Sequence, residues 1–347
     1  MQIMWYSSKT APCKALRRKD EVLILNEFTL GYGLMSGLSL AGGLGSGLLG
    51  LSLSLKDPRD ARSSRLVYLV TTLVFLGLWM RLAMVPLWFW TLSSLVPSIP
   101  GAMCLYGVHR ANEPISWVAT GLKPLFPLLY GFWIALHAID IRQDNQPLLR
   151  LKLAMLVPLG ALLVVESLAD LGFLWPLDPI RVTCCTSAYV AASQGPMGWV
   201  FTASHIWGIE VYILLAAGAM MLTLWARTKG ASPLSWGFVL VFLLVGLSCL
   251  IALVFSLHTE LSLRLLTPRH ACLFCLWRKF PDVGIASLFA FLGVFFSVLS
   301  AFLGGLAGRS GVDRTIAMGP AKTYAWLGVG LLGFGTLVIL ARFLFSA

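Results

Sequence analysis

The sequence predicts an all-α polytopic membrane bundle of about eight transmembrane helices. Three observations carry this. Of 347 residues, 58% are hydrophobic and only 12% charged, about half the charged share of a soluble domain. The apolar residues gather into eight runs of span length, roughly 20 residues being enough to cross a bilayer as helix. The runs are continuously apolar rather than alternating. That excludes a membrane barrel and leaves helices to satisfy the backbone in lipid. A soluble enzyme, a disordered chain and a secreted disulfide scaffold are excluded by the same composition.

Residues 1–27 are polar and basic and read as a tail rather than a cleavable signal. The single transmembrane domain, 28–347, follows. The first span, Phe28–Leu55, is rich in glycine; Gly43 and Gly47 form a Gly-x-x-x-Gly face suited to close packing of helices within the chain. The next three are Leu66–Leu87, Ile115–Ile139 and Leu149–Leu174. The last four are Ile206–Trp225, Leu234–Leu257, Gly284–Leu306 and Tyr324–Phe345. No loop is long enough for a soluble domain. The longest are Pro86–Pro114, Trp175–His205 and His258–Val283, and eight spans put all three on one face.

The net charge of +11 would suggest nucleic acid in a soluble protein. Here the cations lie mostly in short loops, where they set topology and meet anionic lipid, so nucleic acid is not an expected partner. Twelve Lys and Arg lie in the short loops of the opposite face, against seven on the long-loop face. This predicts a plasma (inner) membrane protein with the long loops outward. Five cations of the tail, between Lys9 and Lys19, even the score if every run spans. A re-entrant or broken first run is one way to keep the tail on the cytoplasmic side.

The long loops carry five of the seven cysteines: Cys104, the adjacent Cys184 and Cys185, and Cys272 and Cys275 in Arg-His-Ala-Cys-Leu-Phe-Cys-Leu-Trp-Arg-Lys. His109 and His270 lie in the same loops. Cys-x-x-Cys brings two sulfurs within reach of each other, which suits a reversible disulfide or half of a metal site. Its basic neighbours, Arg269, His270, Arg278 and Lys279, favour thiolate. Adjacent cysteines rarely bond to each other, so Cys184 and Cys185 are expected to pair elsewhere. Cys249, inside a span, reads as packing.

Four ionisable residues lie in the outward half of the spans: Arg81, Glu166, Asp170 and Glu210. Glu166 and Asp170 are four apart and share a helix face. Such groups must pair or line a wet cavity, and the simplest pairing is Arg81 with a carboxylate. Lys123 and Asp140 read as interfacial.

The leading functional expectation is a membrane redox protein. Cys104, Cys184, Cys185, Cys272 and Cys275 would exchange thiols and disulfides with a soluble partner, with a quinone held near Arg81, Glu166, Asp170 and Glu210. One alternative is a non-catalytic subunit of a larger membrane complex, with structural or cofactor-holding cysteines. The other is a copper- or zinc-binding or transport protein. His270, Cys272 and Cys275 would then be ligands, completed by Cys104, Cys184 or Cys185.

Overall fold

The computed structural model describes residues 26–54, 61–102, 104–112, 115–174, 198–228, 235–266 and 272–345. The described residues are helical and contain no strand. Helices α1 (Glu27–Ser54), α2 (Ala61–Leu95), α4 (Ile115–Asp140) and α5 (Leu149–Leu174) form an N-terminal group. Helices α6 (Gly198–Thr228), α7 (Trp236–Phe255), α10 (Pro281–Leu306) and α11 (Arg314–Leu344) form a C-terminal group. These eight are long and apolar enough to cross a membrane. Three short helices sit between them: α3 (Leu105–Arg110), α8 (Ser262–Leu265) and α9 (Leu273–Lys279).

Glycine sets the closest contact of the N-terminal group. A Cβ on Gly160 of α5 would fall 2.6 Å from the Gly43 carbonyl and 2.8 Å from the Gly47 Cα. The backbones of α1 and α5 therefore touch, as the Gly-x-x-x-Gly spacing predicts. In the C-terminal group Gly293 of α10 receives α11 in the same way, with the Leu332 nitrogen 2.3 Å from the position of its missing Cβ. Between the groups, Phe132 of α4 stacks on Phe302 of α10 at 4.8 Å. Gln143 accepts a hydrogen bond from the Asp313 amide at 2.9 Å.

Several boundaries differ from the sequence reading. The second span continues through Pro86 to Ser98 rather than stopping at Leu87. A proline within a membrane helix is tolerated where neighbours re-satisfy the freed carbonyl. The sixth span runs to Leu265, because a π-helical turn, Ser256–Leu261, continues α7 into α8. The last begins at Arg314, ten residues before its apolar run. Asp313 caps it by accepting the Thr315 amide at 2.8 Å, an arrangement that satisfies an otherwise unpaired first-turn donor.

α1 is unbroken from Glu27 to Ser54 and is long and apolar enough to cross a membrane, without the break expected of a re-entrant run. Asn26, at its start, donates to Ser94 near the end of α2 at 2.9 Å. The start of α1 therefore lies at the same end of the bundle as the loop that carries Cys104.

Candidate metal centre and the charge cluster beside it

Three sulfurs from two distant segments meet at that end of the bundle. Sγ of Cys104, Cys272 and Cys275 all lie within 4.8 Å of one another. Cys104 is the extended residue before α3, and Cys272 the extended residue before α9. Cys275 lies in the first turn of α9. Cys-x-x-Cys at a helix start thus turns both of its sulfurs toward one point, and the loop after α2 adds the third.

Cys272 and Cys104 are 2% and 7% exposed; Cys275 is half-buried. Tyr106 and Phe274 pack around the three. Phe274 also stacks on His109 of α3, with centroids 5.6 Å apart and planes at 24°. His109 is anchored in turn: its carbonyl accepts from Ser116 at 2.7 Å. Its Nε2 lies 3.4 Å from the Thr120 hydroxyl, which accepts from the Trp88 indole at 3.0 Å. This chain of contacts ties the C-terminal Cys-x-x-Cys segment to the N-terminal group.

The three thiols do not share their protons evenly. Hydrogen bonds from Cys104 and then Cys275, with smaller help from the amides of Cys275 and Phe274, outweigh burial and pull the Cys272 thiol well below the ordinary range. Hydrogen bonding to Cys104 and Cys272, with burial, pushes Cys275 up. Of the two, Cys272 gives up its proton the more readily.

The intramembrane charges form a second assembly. Arg81 of α2 donates through Nε to Glu166 at 2.9 Å and through Nη2 to Asp170 at 2.8 Å. Lys123 of α4 donates to Glu166 at 2.9 Å and to both oxygens of Asp170 at 2.8 Å. Tyr130 donates to Glu166 at 2.8 Å and Tyr32 of α1 to Asp170 at 2.9 Å. All four charged side chains are buried. Two cations face two anions, so the cluster is neutral as a whole, and helices α1, α2, α4 and α5 all contribute to it. The Lys123 ammonium also sits 5.0 Å from the Trp88 ring. Trp88 thus links the charge cluster to Thr120 and His109.

Several sequence expectations need correction. Lys123 is not interfacial; it is the second cation of the cluster. Asp140 is also buried, held by Lys152 at 2.7 Å and by the Leu148 amide at 2.8 Å. Glu210 does not join Arg81, Glu166 and Asp170. It is an exposed residue of α6, in the other helix group. Cys249 lies buried in the C-terminal core, away from the three-thiol centre. Cys184, Cys185 and His270 lie outside the described residues.

The chain matches no known protein family, no curated protein and no solved structure. Its chemistry therefore has to be read from these residues.

Proposed function

We propose that the protein is an integral membrane soft-metal-binding protein, and that Cys104, Cys272 and Cys275 hold one Cu(I) ion. The observation that carries this is the convergence of three sulfurs on one point. Sulfur ligands about 2.3 Å from a common ion are spaced roughly 4 Å apart. Sulfurs already within 4.8 Å of one another reach that spacing by small side-chain rotations. Among the described residues, no other set of His, Cys, Asp and Glu ligand atoms comes together in this way.

The donor set selects the ion. Thiolates favour Cu(I), Zn(II) and iron–sulfur centres over hard cations. Structural zinc sites are almost always four-coordinate; among the described residues three sulfurs converge, a number that suits Cu(I). Tyr106 and Phe274 pack against the sulfurs and cover the Cys104 and Cys272 side of the site. Arg278 and Lys279, exposed on the same short helix, offset the negative charge of a thiolate complex.

Holding fits better than conducting. A channel needs a ladder of ligands through the bundle. The buried charges of the N-terminal group, Arg81, Lys123, Glu166 and Asp170, are instead already bound to one another.

The test is an anaerobic titration of the purified protein in detergent with Cu(I) against a chromophoric chelator. The account expects one equivalent bound. Serine at Cys104, Cys272 or Cys275 should each weaken binding by about a hundredfold or more. A native protein that binds no better than the triple serine variant would contradict it.

A further inference from the structure

We propose a second activity at the same sulfurs: Cys272 and Cys275 exchange with an external low-molecular-mass anionic disulfide, and the bridge they form discharges the metal ion. The discharge rests on the metal reading above; the exchange stands without it.

Three observations converge on this pair. The first is position. Cys272 and Cys275 belong to one short segment, and their sulfurs already lie within 4.8 Å of each other. A disulfide of about 2 Å forms by side-chain movement alone, with no displacement of a membrane span. Cys104 belongs to a different segment, held in place through His109, Ser116 and Thr120.

The second is access. Cys275 is the half-buried member of the three, whereas Cys104 and Cys272 are almost fully covered. An incoming disulfide therefore meets Cys275 first.

The third is charge. Arg278 and Lys279 follow Cys275 by three and four residues and are exposed, so they sit on its side of α9. Arg342, stacked on the Phe280 ring that Lys279 also faces, is paired with Asp282 and adds no net charge there. The approach to Cys275 is cationic and attracts a carboxylate-bearing disulfide.

The exchange balances without any other reactant. The Cys275 thiol gives its proton to solvent, and the thiolate attacks one sulfur of the external disulfide. A bond forms between them, the external S–S bond breaks, and the departing thiolate takes a proton from solvent. The Cys272 sulfur then attacks Cys275, and the second external thiolate leaves. In sum, the two protein thiols give up two electrons and two protons, and the external disulfide departs as two thiols. The metal ion keeps its oxidation state. It loses two of its three sulfur ligands, and Cys104 alone does not retain it.

The experiment uses the full-length protein in detergent under argon, with glutathione disulfide as the probe. Peptide mass mapping follows the cysteines, and a chromophoric chelator follows Cu(I). The expected result in the metal-free protein is a Cys272–Cys275 bridge. In the copper-loaded protein, copper should appear in the chelator in step with that bridge. Cys272→Ser should stop at a glutathione adduct on Cys275, and Cys275→Ser should form neither bridge nor adduct on this segment. Cys104→Ser should bind copper poorly yet still form the bridge, which separates the two readings. Arg278→Glu with Lys279→Glu should slow bridging by about tenfold. Copper binding without any bridge would overturn the exchange and leave the metal reading standing. A bridge without copper binding would overturn the metal reading and leave the exchange. Copper retained after the bridge has formed would overturn the coupling.

Discussion

Cys272 draws hydrogen bonds from both of its sulfur neighbours, and this fixes the pH behaviour of the centre. It gives up its proton more readily than Cys275, which its neighbours and burial push up. A metal ion must therefore displace protons to bind, and protons compete with it. Affinity for Cu(I) should rise with pH and fall on acidification, by about tenfold per pH unit for each proton displaced. Titrations between pH 6 and 8 (roughly) check this, and an affinity that does not change with pH would contradict it. Cys249→Ala should leave copper binding unchanged. Its sulfur is packed in the C-terminal core, so this variant controls for general damage from losing a cysteine. The Cys-x-x-Cys was legible in the sequence as a reactive pair, because its spacing alone brings two sulfurs together. Cys104 was legible only as one of three candidates to complete the set, beside Cys184 and Cys185. Its neighbour in space is set by the packing of α3 against α9, which no local pattern encodes.

At the scale of helices, two devices hold the N-terminal group, and each makes a test. Gly160 faces backbone, with the Gly43 oxygen and Gly47 nitrogen within 2.9 Å of where a Cβ would stand. Gly160→Val should force α1 and α5 apart and lower the thermal midpoint in detergent by several degrees. Gly31→Ala, at a site with nothing within 4 Å, should not. The second device is the charge cluster. Lys123→Met leaves two carboxylates against one guanidinium in a buried setting, and removing one partner of such a set costs about 3–5 kcal/mol. Lys123→Met with Glu166→Gln restores the balance of charge and should recover part of that loss. A single substitution as stable as the native protein would show that the cluster does not hold the helices.

The sequence exposed three members of the cluster, since a charge inside an apolar run is conspicuous. Lys123 was misread because it stands near the start of its run. α4 begins at Ile115, so Lys123 lies eight residues in. At a rise of 1.5 Å per residue that is about 12 Å below the helix start. Counting the rise would have found it. Glu210 failed in the opposite way. Depth along the chain matched the other charges, but depth does not fix which way a residue faces, and Glu210 points out of the bundle.

Across the whole molecule, the number and order of spans were legible, because membrane crossing imposes length and composition together. Span ends were less so. Helix continues through Pro86 and the π-helical turn, and beyond the apolar window at Asp313, wherever capping or packing satisfies the backbone. Sidedness makes a prediction that does not depend on charge counting. The start of α1 touches the end of α2 through Asn26 and Ser94, at the end of the bundle that carries the thiol centre. An N-terminal epitope and Cys275 should therefore be reached from the same side of sealed vesicles, the epitope by protease and Cys275 by a membrane-impermeant maleimide. Reaction from opposite sides would contradict the arrangement of the eight spans.

The central claim is that Cys104, Cys272 and Cys275 share one soft metal ion. X-ray absorption at the copper edge of the Cu(I)-loaded protein tests it most directly. The account expects three sulfur scatterers at about 2.3 Å and no nitrogen or oxygen in the inner shell. It also expects that signal to vanish in the Cys104→Ser, Cys272→Ser, Cys275→Ser triple variant. A nitrogen- or oxygen-rich shell, or the same sulfur shell in the triple variant, would place the metal elsewhere and contradict the account.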